Sequence, residues 1–132
     1  LSKGKLGHLK RLVGTYNLVP ALEDPTVRSA LQLALKEHYL TLLTNLSVRP
    51  PLSYMSNCLF AEGNAPHQAT TENAMLAICM DGTVHAALLT DGRRILFSPA
   101  RSYREVPDQM RFFLDDSRVP TAPPGSNFEW MR

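Results

Sequence analysis

Two Asp-Gly dipeptides, Asp81-Gly82 and Asp91-Gly92, constrain the fold of this chain more than any other feature. Each stands between apolar runs, and Asp-Gly readily supplies the positive φ angles of a two-residue hairpin turn. The runs at 74–80, 83–90 and 93–98 are therefore expected to form three strands of an antiparallel meander. Upstream, in 52–61, Leu52, Tyr54, Ser56, Cys58 and Phe60 alternate with the intervening residues, a two-residue period that predicts one further strand.

A different period precedes the sheet. Asp24 suits an N-cap and Pro25 the first helical position, and Val27, Leu31, Ala34, His38 and Leu42 recur at helical spacing. Ala30, Leu33, Leu35, Tyr39 and Leu43 widen the stripe, which predicts a helix over 25–44 packed on the sheet, with Lys36 and Glu37 in water. Arg49-Pro50-Pro51 ends it, because prolines lack the backbone donor and disfavour α geometry before them. Residues 16–22, interrupted by Pro20, suit one helical turn under the core. Val106-Pro107-Asp108 can open a short helix carrying Met110, Phe113 and Leu114, which is favoured over an edge strand at Arg111–Leu114.

The fold class is thus α+β: an antiparallel meander sheet of about four to five strands, an N-terminal helix packed on one face, and a short C-terminal helix. Residues 1–15 read as a flexible lead-in, 16–119 as a single domain and 120–132 as an extended arm. In that arm Phe128 and Trp130 serve either as anchors or as an oligomer contact, and the second use admits a homodimer.

Composition narrows the function. A chain of 132 residues, 44% hydrophobic and 20% charged, suits one folded domain. The net charge of +2 is split between Lys3, Lys5, Lys10 and Arg11 at the start and Arg93, Arg94, Arg101 and Arg104 later. Without a basic stripe interleaved with aromatics, nucleic acid is not the expected partner. No apolar run approaches the roughly 20 residues of a membrane span. The chain begins at Leu1, so it reads as a processed or trimmed product; a periplasmic or secreted protein whose targeting segment is absent is the expectation.

Enzyme chemistry is not expected. The four histidines, His8, His38, His67 and His85, are scattered and lack zinc spacing, and no phosphate-binding, hydrolase or redox motif is present. Neither a metal nor a cofactor is expected. Glu62 and Glu72 flank one loop and are the only acids placed for general acid–base work. Cys58 with His67 as its base would be a second route. Carboxylates at strand ends, and Cys58 facing Cys79 across a hairpin as a disulfide or as two buried thiols, explain these residues with less.

Between the strands at 52–61 and 74–80 lies Asn64, Ala65, Pro66, His67, Gln68 and Ala69. Pro66 restricts its own φ and that of Ala65, so His67 is expected on a stiff projecting loop, where binding residues concentrate. The helix introduced by Asp24-Pro25, a strand, this Pro66-His67 loop, then a strand ending in Asp81-Gly82, resembles the inhibitor of vertebrate lysozyme (Ivy) family over residues 16–99. In that family the loop reads Cys-x-Pro-His-x-Cys, is closed by a disulfide, and places its histidine in the active-site cleft of lysozyme. Here Asn64 and Ala69 stand where that pattern has its cysteines.

The resemblance implies a non-enzymatic periplasmic binding protein whose partner is lysozyme or another cell-wall hydrolase. An imidazolium can donate from both ring nitrogens to the paired carboxylates of a glycosidase cleft. A net charge of +2 brings no long-range attraction to the basic lysozymes of animals, which turns attention to other muramidases. The alternative is an immunity protein against a toxin, or an envelope interaction module on the same fold, using the sheet face or the C-terminal arm.

Overall fold

The computed structural model describes residues 6–115 and 128–131. Its strands β1 (Ser53–Met55), β2 (Cys58–Asn64), β3 (Asn73–Cys79), β4 (Val84–Thr90), β5 (Arg93–Phe97) and β6 (Glu129–Met131) lie side by side in chain order. The first five pair antiparallel with their neighbours, and β6 returns parallel to β5.

Asp91-Gly92 forms the expected two-residue turn: Thr90 faces Arg93, and the two turn residues have φ of 51° and 73°. Asp81-Gly82 sits in a four-residue connection instead. The Cys79 N–H donates to the Thr83 carbonyl, and the Asp81 carboxylate accepts from both the N–H and the hydroxyl of Thr83. The single strand expected over 52–61 is in fact a hairpin. Ser56 and Asn57 take φ of 54° and 63°, which brings Met55 opposite Cys58. The alternation runs through this turn unbroken and no glycine marks it, so β1 and β2 read as one segment.

Both faces of the sheet are covered. On one, Leu59, Leu76, Leu88 and Ile95 pack against Val27, Leu31, Leu35 and Leu42 of the N-terminal helices. On the other, Phe60, Met75, Ala77, Ala87 and Leu96 meet Val106, Met110 and Leu114. A sheet buried on two sides needs apolar residues at consecutive positions, which accounts for the uninterrupted runs of β3 and β4.

The helical layer starts with α1 (Val19–Glu23), the turn expected around Pro20. Next comes α2 (Pro25–Leu35), where an Asp24 carboxylate oxygen accepts from the N–H groups of Thr26 and Val27. The helix expected over 25–44 is broken. Lys36 has φ of 50°, a 3-10 turn covers Lys36–His38, and α3 (Tyr39–Asn45) resumes in a new phase. Lys36 and Glu37 are good helix formers, so no local signal announces the break. Leu33, expected in the apolar stripe, and Leu40, adjacent to it, are 74% and 72% exposed, because each lies two residues, about 200° of helix, from a buried leucine. His38 packs its ring 5.5 Å from that of Phe97.

Within residues 1–15, expected as a flexible lead-in, Gly7–Leu12 form a 3-10 helix whose Leu9 and Leu12, with Leu6 before them, belong to the core. Residues 1–5 lie outside the described residues. At the other end α4 (Asp108–Leu114) is the expected short helix. The proline-rich stretch 120–125 lies outside the described residues, but the end of the arm is anchored. Phe128 stacks on Tyr103, and the Trp130 indole N–H points at the Ser98 carbonyl.

Cys58 and Cys79 are directly opposed in the β2–β3 ladder and joined as a disulfide across a sequence separation of 21. Restricting an unfolded loop of this size contributes about 3 kcal/mol. The double variant Cys58→Ser, Cys79→Ser is expected to lose about that much in a urea titration and to keep its native circular-dichroism spectrum.

Candidate functional site

The β2–β3 hairpin ends at Asn64 and Asn73, and its base is held from outside the hairpin. Val48 and Asn64 exchange both backbone hydrogen bonds, at 3.1 and 3.0 Å. This approach depends on Gly63, since a Cβ there would stand 2.4 Å from the Val48 carbonyl oxygen. Above it the Ala65 N–H donates to the Glu72 carbonyl at 3.0 Å, so the stem continues one step past the last strand pair.

Pro66 and His67 then form a turn. The Gln68 N–H donates to the Ala65 carbonyl at 3.1 Å, Pro66 holds the second position, and His67 holds the third with φ of 62°. A positive φ at the third position is what a type II turn requires. Ala65 is buried beneath the turn, whereas Pro66, His67, Gln68 and Ala69 are exposed. The His67 imidazole makes no hydrogen bond or ring contact among the described residues. Both ends of the six-residue segment are tied by amides: Asn64 Nδ2 donates to the Ala65 carbonyl and Asn73 Nδ2 to that of Ala69, each at 2.8 Å.

The two flanking acids are not brought together. Glu62 pairs in register with Met75, so it lies on the α4 side of the sheet, where it is exposed. Glu72 turns toward the helical side and accepts from Asn45 Nδ2 at 3.2 Å and from the Asp91 N–H at 3.1 Å. Burial raises its carboxyl pKa, but hydrogen bonds from Thr90, Asp91 and Asn45 together outweigh it and hold the group below the ordinary range. Glu72 thus serves as a structural acceptor at the loop base. The disulfide lies at the far end of the hairpin from His67, so no Cys58–His67 nucleophile pair forms.

Asn45 is the site residue that sequence reasoning missed. It is 1% exposed, and besides Glu72 its amide nitrogen reaches the carbonyls of Asn73 and Leu89 at 3.3 and 3.2 Å. The available signal was a polar residue in register with an apolar helical stripe. His85 is likewise buried, with its ring nitrogens near Ser98 Oγ at 2.7 Å and Thr83 Oγ1 at 3.3 Å. Among the described residues no group of three His, Cys, Asp or Glu could hold a metal ion, and no helix is long and apolar enough to cross a membrane.

Two outcomes follow for the loop base. Gly63→Ala forces backbone against backbone and is expected to cost about 1–3 kcal/mol in chemical denaturation. The Glu72 carboxyl is depressed when folded, so its contribution is complete above its ordinary value of 4.5 and is lost as pH falls through the lower folded value. Glu72→Gln should therefore lower the thermal midpoint at neutral pH, with a deficit that shrinks in acid.

The Pro66-His67 turn, its clasped base and five of the six strands fall within residues 26–120, which match the family described as inhibitor of vertebrate lysozyme (Ivy). No curated protein matches the chain, nor does any solved structure. The matched span covers well over half of the chain and joins the helical layer to the sheet that carries the loop. By that match the chain belongs to the inhibitor of vertebrate lysozyme (Ivy) family.

Proposed function

We propose that this chain is a non-enzymatic binding protein that inserts the imidazole of His67 into the active-site cleft of a muramidase and so blocks it. Membership of an inhibitor family supports a protein partner of this class. The observation that carries the mode of binding is the state of His67. It is exposed on a proline-set turn, its ring is uncommitted among the described residues, and the backbone beneath it is fully engaged. A protonated imidazole in that position donates to a carboxylate from each nitrogen, and glycosidases carry two carboxylates flanking the scissile bond.

The loop lacks the covalent closure of the Cys-x-Pro-His-x-Cys pattern; backbone hydrogen bonds from Ala65 to Glu72, Gln68 to Ala65 and Glu72 to Gln68 cross it instead, while the amides of Asn64 and Asn73 each hold a carbonyl at one end. Pre-organising a loop limits the ordering cost of binding, which is about 0.5–1.5 kcal/mol for each side chain immobilised. A periplasmic or secreted location accords with the disulfide, which persists in oxidising compartments.

The test is inhibition of animal c-type, g-type and bacterial muramidases by the wild type, by His67→Ala and by His67→Gly. Glycine accepts the φ of 62° at this position freely, so His67→Gly should keep or raise the thermal midpoint while removing the imidazole. Inhibition of at least one class is expected, weakened about tenfold or more in both variants by loss of charge-assisted hydrogen bonds. A wild type inert toward every class, or variants as potent as the wild type, would overturn the reading.

A further inference from the structure

A groove of about 680 Å³ adjoins the loop on the α4 side of the sheet. It is lined by Asn64 and Thr70 from the loop region, by Glu62 and Leu89 of the sheet, and by Phe112 and Phe113 of α4. Phe112 is 86% exposed, because Met110 and Leu114 occupy the buried side of the short helix. It makes no ring contact among the described residues, whereas the adjacent Phe113 lies under the Arg94 guanidinium. Glu62 is exposed and without a hydrogen bond or ion pair among the described residues.

We propose that this groove is a second contact surface for the muramidase that receives His67, with Phe112 as its aromatic anchor and Glu62 as its charged contact. The inference rests on the loop-insertion reading above, since Asn64 and Thr70 make the groove continuous with the loop. A molecule that closes over the Pro66-His67 turn must pass its cleft rim across Asn64 and Thr70, and the next side chains it meets are Glu62 and Phe112. Exposed aromatics beside a binding loop suit hot-spot roles, because a large ring gives up water at a small entropy cost. The fitting rim carries a lysine or arginine beside an apolar patch: the cation answers the Glu62 carboxylate and can also lie over the Phe112 ring. Arg94 does not compete for Glu62 in this arrangement, as it is held on Phe113 and donates to the Phe113 carbonyl at 2.9 Å.

The experiment measures inhibition constants and association rates for wild type, Phe112→Ala, Glu62→Lys, His67→Ala and Leu33→Ala against a muramidase panel. Leu33 is a control for exposed apolar surface on the opposite face of the sheet. All four side chains are exposed, so thermal midpoints should match that of the wild type. The expected result is about a tenfold weaker inhibition by Phe112→Ala, chiefly through faster dissociation, with Leu33→Ala unchanged. Glu62→Lys should slow association and reverse its dependence on salt. If His67→Ala weakens inhibition while Phe112→Ala and Glu62→Lys stay within about twofold of the wild type, the groove is not a contact surface and the loop reading stands. If the wild type inhibits no muramidase, both fall.

Discussion

The amide of Asn45 is where the helical layer, the sheet and the loop carrying Pro66-His67 meet. From the last turn of α3 it reaches the Glu72 carboxylate and the carbonyls of Asn73 and Leu89, three groups on β3, β4 and the loop between β2 and β3. These acceptors lie at the end of the sheet, where the ladder no longer satisfies every carbonyl. A buried acceptor left without a donor costs about 1–3 kcal/mol, a penalty that removal of this amide would bring on the Asn73 and Leu89 carbonyls, whereas Glu72 keeps its bonds from Thr90 and Asp91. Glu72 returns the connection by accepting from the Asp91 N–H, which ties the β4–β5 turn to the same point.

The position of the loop follows from the two-sided burial of β2 and β3. Each face of the central strands has its own apolar partner layer, so a slip of one residue in register would exchange the Leu59, Leu76 and Ile78 side with the Phe60, Met75 and Ala77 side. The hairpin is locked at one end by the Cys58–Cys79 disulfide and at the other by Val48 passing over Gly63. A connection between two such fixed strand ends has little freedom left. Pro66 and His67 then set its direction.

This arrangement places the covalent bond at the far end of the hairpin from the Pro66-His67 turn. In the Cys-x-Pro-His-x-Cys pattern the disulfide constrains the loop itself, whereas here it constrains the stem and hydrogen bonds constrain the tip.

What the sequence determined by itself is whatever a residue demands of its own backbone or its near neighbours. The Asp91-Gly92 turn, the Asp24 cap and the Pro66-His67 turn were legible because glycine, proline and an N-cap carboxylate act within a few residues. The continuous apolar runs of β3 and β4 were legible for a related reason, since a strand enclosed on both faces has no place for alternation. Tertiary structure decided the rest. Lys36 leaves the helix without a local breaker, Leu6, Leu9 and Leu12 dock into a core far along the chain, and β6 pairs parallel with β5. The separation of Glu62 from Glu72 on opposite faces, and the choice of Asn45 as a donor to Glu72, depend on which strands and helices come together. No residue encodes those contacts through its own dihedral preference, because their energy exists only once distant surfaces have met.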